Sequence, residues 1–224
     1  YVASGDPRER SLLKFDFAGI PSGATVESAS LKLYCTSTNG KTVETEINRM
    51  TRSWTEGTGT YNSPTTDGAT WTTYNGTNTW TNNGGDYSQD IEASLSFSTT
   101  GWQEWDITSL VQSWVSGTND NNGLILLQPN SNSNTYGKFA SGEYTADTSL
   151  RPQLILAYQA VSATPTPTPI PTPTPTPSPV TTTLGVSADT FIVSGRNNGG
   201  EDTALRFYVA SGDPRERSLL KFDF

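Results

Sequence analysis

Histidine is absent from all 224 residues, which removes the commonest general base and the commonest zinc ligand together. A single cysteine, Cys35, cannot close an internal disulfide. Charge is scarce at 16% and one-sided, with 22 acidic against 14 basic residues and a net charge of −8, so no nucleic-acid partner is expected. Apolar residues make up only 33%, and no apolar run approaches the roughly 18 residues of a membrane span. Neither a helical bundle nor a disordered acidic tail has this balance. What fills the chain is Thr, Ser, Gly and Asn, with 6 Trp, 9 Tyr and 8 Phe. Aromatic and β-branched residues between polar turns are the composition of a secreted, extracellular or cell-surface β-protein.

Residues Tyr1–Phe17 (YVASGDPRERSLLKFDF) recur letter for letter as Tyr208–Phe224, an offset of 207. A period this long is a whole domain plus a linker, not a solenoid unit. The expectation is a window cut across a tandem array: a sandwich domain over 1–160 lacking its first strands, a linker over 161–183, and the first strands of the next repeat over 184–224. Thr164–Pro179 places a proline at every second position and holds 8 of the 14 prolines. Without N–H groups it can join neither helix nor ladder, so an extended polyproline II spacer is expected. Alternating Thr-Pro is also the composition of O-glycosylated stalks, which makes Thr164, Thr166, Thr168, Thr172, Thr174, Thr176 and Ser178 candidate sugar carriers.

Period-2 patterns predict strands at Ala188–Val193, Thr203–Ala210, Arg10–Phe17, Ser28–Thr36, Lys41–Arg49, Gly123–Gln128 and Pro152–Tyr158. Asn39-Gly40 reads as a hairpin turn between two of them. In Asp106–Gly117, Ile107, Leu110, Val111 and Trp114 fall at i, i+3, i+4 and i+7, one face of a short helix that Asp106 or Thr108 can start and Gly117 can stop. The expected fold is all-β: a jelly-roll-like two-sheet β-sandwich with one short helix, then the extended linker.

The ordered blocks LLKFDF, AGIPSGATVESASLKLY, INRMTRSWTEGTGTYNSPT, GWQEWDITSLVQSWVSG, NNGLILL and RPQLILAY resemble the disaggregatase-related repeat, or DNRLRE domain. The resemblance implies a jelly-roll-type sandwich in secreted, often repetitive surface proteins. Some relatives act as carbohydrate-binding modules, and the resemblance brings no catalytic site.

Cys35 alternates inward with Leu31 and Leu33 and reads as a small core residue. Glu44 with Glu46, and Glu104 with Asp106, each share a strand face at carboxylate spacings compatible with glycosidases, but a solvated face is the better reading. No enzymatic activity is expected. Asp189, Asp120, Glu143 and Asp147 are candidate ligands for a structural calcium, against the alternative of solvated turn carboxylates. Trp71, Tyr74, Trp80 and Tyr87 crowd an amide-rich stretch and are glycan-stacking candidates, against the alternative of a loop anchored by its tryptophans. Asn75 heads the only N-glycosylation sequon. The expected role is a building block of an extracellular or cell-surface filament, beads assembled head to tail with neighbouring copies. The second reading is a module that grips an extracellular polysaccharide, with avidity from repetition. With its first strands absent, the sandwich is expected to take them from a preceding repeat, so that Leu184–Phe224 touches little of its own chain.

Overall fold

The computed structural model describes residues 10–60, 63, 65–129, 135–160, 178–192, 204–209 and 219–221, with backbone alone for 191, 204–209 and 219–221. In chain order the strands are β1 (Arg10–Lys14), β2 (Thr25–Thr38), β3 (Val43–Met50), β4 (Tyr87–Phe97), β5 (Gly101–Asp106), β6 (Leu124–Leu127), β7 (Thr135–Ala140), β8 (Gln153–Gln159), β9 (Val180–Gly185), β10 (Ala188–Ile192), β11 (Ala204–Val209) and β12 (Leu219–Lys221). Helix α1 (Thr108–Val115) lies between β5 and β6. One sheet runs β10-β12-β1-β6-β3-β4, and the other runs β11-β7-β2-β8-β9 with β5 also on β2. Every named pairing is antiparallel except β1 with β12.

The two sheets face each other across one core. Leu13, Val43, Ile47, Leu124 and Leu126 from the first meet Leu31, Leu33, Cys35, Phe139, Leu154 and Leu156 from the second. Trp105 is 1% exposed, packs edge-on against Phe139 at 5.9 Å, and donates its indole N–H to Thr45 Oγ1 at 3.2 Å. Aromatic pairs of this kind add about 1 kcal/mol beyond their buried area. The all-β sandwich follows from the strand periodicity, with a single α-helix among the described residues.

The helix forms where its 3.6-residue pattern places it. Leu110, Val111, Trp114 and Val115 are buried. Asp106 accepts from the backbone N–H of Thr108 at 2.9 Å, and Gly117, at φ 70°, donates to the Trp114 carbonyl at 3.1 Å. Gln112 fastens the helix to β2 by accepting from Val26 N–H at 2.8 Å.

The Asn39-Gly40 turn does not make a hairpin. It carries the chain from β2 in one sheet to β3 in the other. Over Ser30–Lys32, β2 already pairs with both β5 and β8, and Ser37 and Thr38 pair with β7. With those ladders in place β3 joins β4 and β6 instead.

The expectation that Leu184–Phe224 stands apart is overturned. β9 pairs with β8, β10 with β1 and β11 with β7, all within one chain. The ladder also starts at Val180, inside the stretch expected to be linker. The physical reason is that β1, β7 and β8 offer unpaired ladder groups, and a connection of this length adds little closure entropy against three ladders. An open edge therefore gives no argument for a fibre in this chain. Of the stretch expected to be extended, Thr164–Pro179, residues 164–177 lie outside the described residues; Ser178 is exposed.

Candidate functional site

Successive residues of a strand point to opposite faces, and the first sheet uses both. Leu13, Leu124 and Leu126 enter the inter-sheet core, while Leu12, Ile125 and Leu127 enter a second cluster on the other side. The connection between β3 and β4 lies over that second face. Trp54 and Trp80 are 9% and 4% exposed there, beside Met50, Ala69, Ala188 and Ile192, with Trp71, Tyr74 and Tyr87 packed against them.

Trp80 donates its indole N–H to the Thr70 carbonyl at 2.9 Å, and Trp54 donates to the Asn122 carbonyl at 2.9 Å. The aromatic stretch is thus held to the sandwich by its tryptophans, and Trp80 presents no free ring. Trp71, Tyr74 and Tyr87 are half-buried. Asn75 accepts from the backbone N–H groups of Thr77 at 3.2 Å and Asn78 at 2.8 Å, closing a turn at the sequon.

Arg10 of β1 is the centre of this layer. It is 5% exposed and its guanidinium lies between Trp71 and Tyr87, 5.1 and 5.0 Å from the ring centroids. It donates to the Gly84 carbonyl at 2.7 Å. Gly84 sits at φ 89°, and a Cβ there would meet the Trp71 ring at 2.3 Å, so only glycine fits. Asp86, buried next door, accepts from Arg52 Nε at 2.6 Å and from the N–H groups of Thr81 and Asn82 at 3.0 Å each. Burial pushes the Asp86 carboxyl up, but these hydrogen bonds outweigh it and hold its pKa below the ordinary value. Arg10, Arg52, Asn82, Asn83, Tyr87 and Gln89 line an open cleft of about 540 Å³ at this place. The guanidinium groups, amides and tyrosine ring offer donors and a stacking face, the chemistry that holds sugar hydroxyls and carboxylates.

A second cluster lies at the seam where β10 enters. Asp189, 1% exposed, brings a carboxylate within 4.8 Å of those of Glu56 and Glu143. Its Oδ2 accepts from Gly142 N–H at 2.6 Å, and its own backbone N–H donates to Glu56 Oε1 at 2.9 Å. Burial first, and then the charge of Glu143 and a hydrogen bond to it, raise the Asp189 carboxyl well above its ordinary pKa. A shared proton or a cation relieves such crowding, and an all-oxygen set suits calcium. Of the four residues named from sequence as calcium candidates, the fold gathers Asp189 and Glu143 and adds Glu56. Asp120 is exposed on its turn, and Asp147 is occupied in accepting from Ser149 N–H at 3.0 Å and Oγ at 2.7 Å.

The remaining carboxylates and the thiol have structural surroundings. Glu44 is exposed, and Glu46 is half-buried with its pKa raised by burial and by Glu44. Glu104 accepts from Ser30 Oγ at 2.5 Å and lies 3.9 Å from Lys32, while Asp106 holds the start of α1. Cys35 is buried, its thiol pushed up to about 11 by burial. Trp102, which sequence reasoning passed over, is 38% exposed on β5, edge-on to Tyr34 at 5.4 Å and below Lys32 at 5.6 Å. Its signal was the alternation of Trp102 with inward Trp105 across GWQEW, whose odd offset puts the two rings on opposite faces.

The pattern of the disaggregatase related repeat domain family matches residues 1–156. No curated protein and no solved structure matches the chain. Among the described residues, no helix is long and apolar enough to cross a membrane.

Proposed function

The chain belongs to the disaggregatase related repeat domain family, and we propose that it is a structural bead of an extracellular or cell-surface array, joined head to tail with further copies. One observation carries the reading. Leu219–Lys221 is the second copy of Leu12–Lys14, and both copies take the same register on β10: Leu12 and Leu219 opposite Thr190, Leu13 and Leu220 opposite Asp189, Lys14 and Lys221 opposite Ala188. A strand that takes both copies in one register is suited to an array in which every bead is completed alike. The Thr-rich, net-acidic composition keeps such an array hydrated, and the alternating Thr-Pro sequence has the composition of an O-glycosylated spacer. Electron microscopy of native material tests this: regular strings of beads are expected, and dispersed single particles would refute it.

The cleft beside Arg10 favours a second reading, a bead that also grips polysaccharide. Tyr87 supplies a ring face, Arg52, Asn82, Asn83 and Gln89 supply polar groups, and repetition supplies avidity. Affinity electrophoresis in acidic and neutral polysaccharide gels tests it. Retardation lost in Tyr87→Ala supports this cleft, and retardation lost in Trp102→Ala alone transfers the binding to the opposite sheet.

A further inference from the structure

We infer that Asp189, Glu143 and Glu56 hold a calcium ion that ties β10 to the body of the sandwich, in a structural site assembled from three separate segments of the chain. The inference is independent of the array reading, and single particles in microscopy would leave it intact.

Glu56 comes from the connection between β3 and β4, Glu143 from the segment after β7, and Asp189 from β10 itself. Each brings a carboxylate oxygen within 4.8 Å of the other two. Calcium binds oxygens at about 2.3–2.6 Å, so two ligands of one ion lie no more than about 5 Å apart, and the cluster fits that span. Asp189 is 1% exposed, and the charges of Glu143 and Glu56 both oppose its ionisation. A buried carboxylate among two others is costly unless a proton or a metal ion sits between them.

A second observation, separate from the acids, points to a ligand at the same place. Ser141 is 0% exposed, and its Oγ has no hydrogen-bond partner among the described residues. It lies two residues beyond Phe139 of β7, whose ring is in the inter-sheet core, so alternation turns Ser141 to that same side. Asp189 stands opposite Leu13 of β1, another residue of that core, and therefore faces the same space. The residue after Ser141 is Gly142, whose N–H reaches Asp189 Oδ2 at 2.6 Å. The fold thus delivers an unsatisfied hydroxyl to the acid cluster. Ser11 Oγ, also 0% exposed and without a partner among the described residues, borders this space from β1, two residues from Leu13. Buried hydroxyls are normally satisfied, and a cation with its bound water satisfies both.

The donors select the metal. They are carboxylates and hydroxyls; the chain has no imidazole, and its one thiol, Cys35, is buried in the core. Zinc and copper draw on nitrogen and sulfur, and magnesium demands near-ideal octahedral geometry. Calcium accepts six to eight oxygens in irregular arrangement, which suits ligands from three segments. Since the body supplies Glu56 and Glu143 and the late strand supplies Asp189, the ion acts as a clamp on β10.

The test uses the full 224-residue chain, stripped with a chelator and titrated with calcium chloride near neutral pH. Calorimetry should count one ion per chain, with a dissociation constant of roughly 0.1–1 mM, the range of extracellular calcium modules. The denaturation midpoint should rise with calcium, and less with magnesium at equal concentration. Asp189→Asn keeps an acceptor for Gly142, so the variant folds, and it should lose the calcium response. Glu143→Gln should weaken binding by about tenfold or more, and Ser141→Ala several-fold. Asp120→Asn, at an exposed turn, should leave binding unchanged. Amide exchange across Ala188–Ile192 should slow several-fold on adding calcium to the wild-type chain and not to Asp189→Asn. No heat and no midpoint shift at calcium well above that range would overturn the site and leave a shared proton as the relief of the cluster. Calcium binding retained in Asp189→Asn and lost in Asp120→Asn would overturn it equally, by placing the ion on the exposed turn.

Discussion

Asp86 and Asp189 are both buried aspartates, and the fold surrounds them in opposite ways. Asp86 receives a guanidinium and two backbone N–H groups. Asp189 receives one backbone N–H and two further carboxylates. The first lies under the aromatic layer, where polar groups lock a long connection to the sheet. The second lies at the seam between the body and the strands that arrive beyond the linker. Satisfied burial marks the aromatic layer over the first sheet, and crowded acid marks the seam where β10 meets the body of the same chain.

The sharpest break of this comparison comes at the anchor. Trp80→Ala should cost about 4 kcal/mol, the scale for emptying a buried aromatic site, read as a lowered midpoint in chemical denaturation. A loss below about 1 kcal/mol would mean that the layer is not part of the core. Asp86→Ala should cost about 2 kcal/mol, because the N–H groups of Thr81 and Asn82 lose their acceptor.

Asp189→Asn is expected to act in the other direction. It keeps an acceptor for Gly142 and removes a crowded charge, so at neutral pH it should stabilise the chain by on the order of 1 kcal/mol. The pH dependence separates the two acids. The Asp189 carboxyl is raised in the folded state, so the folded chain holds its proton more tightly than the unfolded chain. Its contribution is complete below the unfolded carboxyl value, about 4, and is lost as pH rises toward the folded value. Asp86 is depressed, so its contribution is present above about 4 and is lost as pH falls through the folded value. Denaturation midpoints across pH should show Asp189→Asn flattening the loss on the alkaline side and Asp86→Ala flattening the loss on the acid side. Added calcium that restores the wild-type midpoint at high pH, and not that of Asp189→Asn, would identify the cation as the group that relieves the cluster. The smallest effect belongs to Trp102→Ala, about 1 kcal/mol or less, since the ring is already substantially exposed.

Much of the sandwich was legible because its strands obey one-sided alternation. Leu31, Leu33 and Cys35 of β2 and Val43 and Ile47 of β3 are inward, and the helix appears where Ile107, Leu110, Val111 and Trp114 shift to the longer period. β4 escaped because its residues, from Tyr87 to Phe97, are mostly exposed or half-buried and carry no apolar stripe. The second core escaped for the opposite reason. In Leu124–Leu127 all four residues are buried, and in Arg10–Lys14 both Leu12 and Leu13 are, which is the mark of a strand covered on two faces. Taken with the tryptophans of the following connection, that run points to a cover on the outer face. The site was legible in part: Asp189 and Glu143 stood out as oxygen ligands, while Glu56 and Arg10 are brought in only by tertiary packing from distant segments. The closure of β9 and β10 on their own body lay beyond any local pattern, because the same strands and registers satisfy either chain.

Amide hydrogen exchange on the full-length chain tests the central claim most directly, that strands from beyond the Thr-Pro stretch complete the sandwich. The backbone amides of Val180–Ile192 should be protected to the same degree as those of Gln153–Gln159, their ladder neighbours. Exchange across Val180–Ile192 at the rate of a free peptide, with Gln153–Gln159 still protected, would contradict it.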